Sequence, residues 1–389
     1  MFNKKKKTMY VPDEEVMLYN KAKKEAEAKE ADKAVDVPDV TETAEATETA
    51  DVVESTEAAS KDVEINPQKK VNKLFDKIKQ FFIKVIPSKK DNTKTIIIKS
   101  VAIVAALAII VSGVYLVAYF VDLGQQDAKI KNIRNNYELN KDDYTKNDNN
   151  QFSKFDFLKS QNNDVVGWIS IPGTKVDNPV YQYIDNQYYV THDMDKKNNS
   201  YGALFLDYRC NINPMSLSRN QIIYGHNMRY GAMFGSLDEY RDINNMRKNP
   251  IISFDSLYEK RVYKIFAVMI VNDTEDTTFG YSYSAYRTKF TNDTDFMQWI
   301  KHSRERSLYD IPVDINADDE IITLSTCCYD FTNARFVILG RLVRQDETQD
   351  VDTESITANK DVLYSKEYYE KKKLPIPQLD SSADTASKK

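Results

Sequence analysis

The chain is poor in the residues that build metal and disulfide sites. Its 389 residues include three cysteines and three histidines. Cys210, Cys327 and Cys328 are too few for a disulfide framework, and no Cys-x-x-Cys pair or His/Cys cluster has zinc-site spacing. The expectation is no metal and no cofactor. No nucleic-acid motif occurs and no basic excess marks the C-terminal two-thirds, so no nucleic-acid partner is expected. The net charge of −5 averages unlike segments and identifies no partner. Aromatic residues are missing from 24–66, a run of Ala, Glu, Asp, Thr and Val. Such a run cannot bury enough apolar surface to offset its ordering entropy, so residues 1–66 are expected to be a disordered acidic arm. No internal repeat is present.

Long apolar runs are also scarce, with one exception. Residues 101–121, VAIVAALAIIVSGVYLVAYFV, carry no charge. At helical rise they extend about 31 Å, the thickness of a bilayer's hydrocarbon core. A transmembrane anchor is expected over 95–121. Ten lysines lie between Lys69 and Lys99, while the far side opens with Asp122 and Asp127. That asymmetry puts the N-terminus in the cytoplasm and the remainder outside. Just before the anchor, Val71, Leu74, Phe75, Ile78, Phe81, Phe82 and Val85 recur at steps of three and four, with lysines on the other faces. Residues 67–94 thus read as a basic amphipathic segment held on the inner leaflet by apolar burial and anionic membrane lipids. Residues 122–151 are polar, an expected extracellular linker.

The folded part is expected over 152–345, long enough for one substantial core. Short runs rich in Val, Ile, Tyr and Phe lie at 165–171, 202–207, 220–227, 251–257, 261–271, 320–327 and 335–343, with a further strand near Val180 to Tyr183. Gly, Pro, Asn and Asp bound them. Repeated short strands indicate a mainly β barrel or sandwich. Two helices interrupt them. One is SKFDFLKSQ, with Ser153 as expected N-cap. The other lies near 294–305, with acids first, Lys301, Arg304 and Arg306 last, and Phe296, Trp299 and Ile300 on one face. Leu206 and Tyr224 are expected in the core, Cys210 as structural, and His192 and His302 at the surface. Residues 346–389 read as a charged, disordered tail.

Catalytic candidates are few. Cys327 ends one strand run, His226 ends another, and Arg335 opens the strand after the Cys327 loop. A thiol nucleophile needs a partner for its proton, and a tetrahedral intermediate needs donors aimed at its oxyanion. Cys, His and Arg supply these roles if the fold gathers them. The competing role for Arg335 is an ion pair with Asp330. Ser325 lacks a Gly-x-Ser-x-Gly elbow, which leaves it a strand residue.

TLSTC at 323–327 followed by Arg335, with GHN at 225–227 upstream, resembles the sortase signature. FDFLKSQNNDVVGWISIPGTKVDNPVYQ, GALFLDYR, YGHNMRYGAMFGSL and RFVILGRLV are similar to class B sortases. The resemblance implies an eight-stranded sortase-type β-barrel, with an N-terminal helical region and an extra helix before the catalytic-cysteine strand. It implies a cysteine transpeptidase: Cys327 the nucleophile, His226 the acid/base, Arg335 the oxyanion or substrate holder. Leu324, Ser325, Thr326, Asn227 and Tyr329 are the expected substrate-contacting residues, with the surface around Tyr188 and Tyr189 shaping the groove. The implied partners are secreted proteins with a C-terminal sorting signal (NPxTx or (S/N)PxTG-like) and a peptidoglycan precursor or pilin lysine as amine acceptor. Cys328 departs from the pattern and is read as a variable neighbour of the nucleophile. The rivals are an L,D-transpeptidase-like crosslinker, whose His-Gly-Cys-Arg type run is absent, and a non-catalytic surface binding module.

Overall fold

The computed structural model describes residues 86–379. The acidic arm at 1–66 and nearly all of the amphipathic run at 71–86 lie outside the described residues. The chain divides near Lys129 into two units.

Helix α1 spans Thr93–Asn140. Asn92 caps its start, its side-chain oxygen accepting from the Thr95 amide at 2.9 Å. Over Thr93–Val121 it is the one helix among the described residues long and apolar enough to cross a membrane, with mean hydropathy 2.7 and no burial. The expected linker at 122–151 is corrected by the second unit. There α1 stays helical to Asn140, and Ile133 and Tyr137 are buried. Their four-residue spacing puts both on one face. The Tyr137 ring stacks on Trp168 at 4.1 Å, and its hydroxyl donates to Asp255 at 3.0 Å. Arg134 pairs with Asp177 at 2.5 Å beside them.

A 3-10 turn at Ser153–Phe155 leads into α2 (Asp156–Gln161). Ser153 is the turn's first residue and not an N-cap; Phe152 precedes it and no side chain caps the turn. Eight strands follow in a closed barrel. They are β1 (Val165–Ser170), β2 (Asp177–Tyr181), β3 (Leu204–Leu206), β4 (Asn220–Tyr224), β5 (Ile251–Ser256), β6 (Lys260–Asn272), β8 (Ile321–Cys327) and β9 (Ala334–Leu342). Their order is β1-β2-β3-β4-β8-β9-β6-β5, with β5 closing onto β1. The β2–β3 and β4–β8 pairs are parallel and the rest antiparallel. Closure leaves no sheet edge within the barrel. The interior is packed: at Gly340 a Cβ would lie 2.9 Å from that of Tyr263, so only glycine fits.

The connections carry the helices. Helix α3 (Tyr188–Thr191) precedes β3, and α4 (Ile243–Lys248) precedes β5. Helix α5 (Asp293–Glu305) lies between β6 and β8, as expected. Asn292 caps it, Asp293 and Asp295 face the positive end of the helix dipole, and Phe296, Trp299 and Ile300 are buried. Leu206 is fully buried, as expected of a core residue. His302 corrects the surface expectation: it is buried, stacked on Tyr281 at 3.7 Å and 2.9 Å from the Glu305 carboxylate. His192 is half-buried and stacks on Tyr188.

The C-terminal segment also departs from expectation. Residues 346–379 follow the barrel and pack on it. A two-stranded sheet joins β7 (Tyr309–Asp310) to β10 (Thr357–Ala358), and α6 spans Lys366–Lys372. Ile356, Leu363 and Tyr369 are buried. Glu347 fastens the start of the segment, meeting Lys264 at 2.5 Å and Arg341 at 2.8 Å. Three apolar anchors dispersed in a charged run are enough to dock it, although its average composition is that of a tail.

Candidate active site

Cys327 and Arg335 are direct register partners across β8 and β9. Side chains opposite one another on an antiparallel pair share a face. On its other side β8 runs parallel to β4, with Tyr224 beside Ser325. The Gly225 amide extends this ladder, donating to the Ser325 carbonyl at 3.2 Å. The Thr326 hydroxyl donates to the Gly225 carbonyl at 2.8 Å. His226 follows Gly225 just past the end of β4, as Cys327 ends β8. Asn227 closes the end of the ladder: its side-chain amide donates to the Cys327 carbonyl at 2.8 Å.

The His226 ring is held from behind. Its Nε2 lies 2.7 Å from the carbonyl oxygen of Val190, in α3. A carbonyl only accepts, so Nε2 carries the hydrogen and the neutral ring keeps its lone pair on Nδ1. The ring's hydrogen bond in this structure is to Val190 and not to Cys327. Arg335 is held by Asp273, Nη2 to Oδ2 3.3 Å, and by the Ala334 carbonyl at 3.3 Å. The alternative partner, Asp330, belongs to Arg241 at 2.6 Å.

The three cysteines are free thiols. Cys327 is half-buried, whereas Cys328 and Cys210 are buried. Burial, with Asp330 alongside, pushes the Cys328 thiol up to about 12. Burial likewise pushes the Cys210 thiol well up, in keeping with the expected structural role. Its Sγ lies between the Asn220 carbonyl and the Ile222 amide, 3.4 Å from each.

The expected substrate-contacting residues separate into several kinds. Leu324 is 0% exposed and pairs with Ile338 and Ile223, which makes it a core residue. Ser325 is buried, its hydroxyl 3.1 Å from that of Tyr286. Thr326 is buried and its hydroxyl is engaged by Gly225. These three therefore shape the wall beneath the site and are not open to solvent. Asn227 is half-buried and organises the rim, while Tyr329 is 82% exposed.

Sequence reasoning missed Tyr286, Val190 and Asp273. Tyr286 lies in the loop between β6 and α5 and covers Ser325, its ring 5.8 Å from that of Tyr224. The Tyr224 hydroxyl donates to the fully buried Asp207 carboxylate, 2.9 Å away, which also holds Arg209. Val190 acts through its backbone and so leaves no mark in the sequence. Asp273 follows the last residue of β6, a position visible only once β6 and β9 are paired.

A family model described as Sortase domain matches residues 169–343. Sortase B of Listeria monocytogenes is 38% identical over 188 residues, 48% of this chain and 72% of the relative. Sortase B of Staphylococcus aureus is 28% identical over 246 residues, 63% of this chain and 96% of the relative. The crystal structure of sortase B from B. anthracis superposes with a TM-score of 0.50 at 29% identity, covering 58% of this chain and all of that one. The closed eight-stranded barrel and these matches show that the chain belongs to the sortase family of cysteine transpeptidases, in its sortase B branch. Enzymes of this family act at the cell surface, on proteins that carry a sorting signal and on an amine acceptor.

Proposed function

We propose that this protein is a membrane-anchored class B sortase that cleaves a C-terminal sorting signal of the NPxTx or (S/N)PxTG type. It holds the upstream protein as a thioester on Cys327 and transfers it to an amine of the cell wall or of a pilin lysine. The observation that supports the reading is what adjoins Cys327 at the end of β8. Cys327 faces Arg335 across β8–β9, and Asn227, next to His226, holds the Cys327 carbonyl.

Cys327 Sγ bonds to the scissile carbonyl carbon and its proton passes to His226 Nδ1. The Arg335 guanidinium donates to the oxyanion that forms. The tetrahedral adduct collapses, the C–N bond breaks, and His226 returns the proton to the leaving amine. An incoming amine gives a proton to His226 and attacks the thioester carbonyl; the C–S bond breaks and the departing Sγ takes that proton back from His226. The product amide and the free thiol remain. Val190 supports this assignment by fixing the ring's tautomer. Asp273 supports it by directing Arg335. Tyr329 is the exposed contact offered to substrate, with Asn227, Ser325 and Thr326 behind it.

The Thr93–Val121 helix serves as the anchor, with the N-terminus inside and the barrel outside. The lysine-rich side of the helix supports that orientation. The test is a peptide-library cleavage assay on the detergent-solubilised full chain, with hydroxylamine or a short polyglycine as acceptor. Cleavage of one motif class, abolished in Cys327→Ala, supports the reading. Intact cleavage in that variant rejects the enzyme assignment to Cys327. Unchanged surface-protein anchoring by the variant in cells favours a binding module.

A further inference from the structure

The Sortase domain match ends at residue 343, and the ordered segment beyond it touches two loops that frame the candidate site. One loop, 328–333, joins Cys327 to β9. The other, 273–292, carries Asp273 and Tyr286. Helix α6 reaches both. The Lys371 ammonium donates to the Tyr329 carbonyl at 3.0 Å, two residues beyond Cys327. The Tyr368 ring meets buried Phe331 edge-on at 6.5 Å. The Lys366 amide donates to the Thr278 hydroxyl at 2.9 Å, and the buried Tyr369 ring contacts Phe279 edge-on at 6.5 Å. Tyr364 stacks on Tyr368 at 3.8 Å, so the aromatic contacts form one block. Helix α6 does not seal the site: Cys327 remains half-buried and Tyr329 exposed.

We infer that the C-terminal segment is a strap whose helix α6 acts as a positioning element, tying the 328–333 and 273–292 loops in the arrangement that receives substrate. This rests on the assignment of Cys327 and Arg335 to catalysis. The physical reason is conformational. A loop held at two points pays its ordering entropy on folding, whereas a free loop pays it on binding. Without the strap only a fraction of molecules has a competent groove. Apparent substrate affinity falls by that fraction, while the bound complex reacts at its usual rate.

The test compares the full chain with Lys371→Ala, Lys371→Arg, Tyr369→Ala and a deletion of residues 365–389. The deletion leaves the β7–β10 sheet in place. Peptide cleavage and hydrogen exchange are measured on each. In the deletion and in Tyr369→Ala, KM is expected to rise about fivefold to tenfold with kcat within about twofold. Amides of 328–333 and 273–292 should lose protection while those of β8 and β9 keep theirs. Lys371→Ala should raise KM about twofold to threefold, and Lys371→Arg should restore it. Unchanged KM in the deletion, or loops that stay protected without α6, would overturn the strap. Loss of protection throughout the barrel in the deletion would overturn it as a local device and make the segment part of the core. A full chain that cleaves no peptide, with loops that still open when α6 is removed, would refute the catalytic assignment while leaving the strap's mechanical role standing.

Discussion

Arg335 and Asp273 form an ion pair at the candidate site's guanidinium, Nη2 to Oδ2 3.3 Å, with Asp273 placed directly after β6. The contact is long and reached by solvent on both sides, so it orients the guanidinium more than it contributes to stability. Asp273 directly follows β6, the strand that pairs with β9, and within that pair Val271 is the register partner of Arg335. The aim of the guanidinium is thus built into the barrel wall.

Removing the proposed oxyanion donor should be costly. Arg335→Ala is expected to lower kcat/KM by about 10²–10³, and Arg335→Lys to recover little, because a planar fork and a point charge differ. Asp273→Asn should cost about tenfold, since it loosens the guanidinium without removing it. Steady-state cleavage of one peptide by the three variants checks the order. Equal losses in Asp273→Asn and Arg335→Ala would show that Asp273 does more than orient.

The three thiols should react unequally. In the native protein at pH 8, a thiol alkylating reagent should modify Cys327 alone. Cys328 is buried with its thiol near 12, and Cys210 is buried with its thiol pushed well up. Peptide mapping after brief alkylation measures this. Modification of Cys328 at a rate matching Cys327 would contradict the burial seen here.

Glu347 sets a pH dependence. Its hydrogen bonds from Arg341, then Lys264, hold its carboxyl well below the usual carboxylate range. A depressed folded value means that the carboxylate stabilises the fold above about pH 4.3, its unfolded value, and loses that contribution as pH falls through the folded value. Glu347→Gln should therefore lower the urea midpoint at pH 7, and the gap from the parent should narrow toward about pH 2. A constant gap across that range would show that the carboxylate charge plays no part.

Tyr137 fixes the end of α1 to the barrel. Tyr137→Ala removes the stack on Trp168 and is expected to cost about 3 kcal/mol, as for other large aromatic truncations. Tyr137→Phe keeps the ring and loses only the bond to Asp255, which retains Lys154 at 2.5 Å, so about 1 kcal/mol is expected. Chemical unfolding of the two variants separates packing from hydrogen bonding. Equal costs would put the whole effect on the hydroxyl.

How much of this was legible depended on how local each feature is. The eight barrel strands matched runs of Val, Ile, Tyr and Phe bounded by turn residues, because local composition marks a strand. Helix α5 was legible for the same reason: its caps, charges and apolar face all lie within 292–306. The parallel pairing of β4 with β8, the strands that lead into His226 and Cys327, joins residues about a hundred apart and leaves no local trace. The resemblance carried that information instead. Leu324, Ser325 and Thr326 were expected in the groove because they adjoin Cys327, yet burial decides by strand face and covering loop, which sequence adjacency does not report. The strap was hidden because Ile356, Leu363 and Tyr369 are diluted among charges. The docked end of α1 was hidden because Ile133 and Tyr137 sit in an Asn- and Lys-rich run.

The most direct measurement is the intact mass of the detergent-solubilised full chain mixed with a sorting-signal peptide and no amine acceptor. The expected result is a protein adduct equal to the peptide's acyl portion, mapped to Cys327, released by hydroxylamine and absent in Cys327→Ala. Peptide cleavage with no adduct on Cys327, or an adduct that persists in Cys327→Ala, would contradict a thioester route through this site.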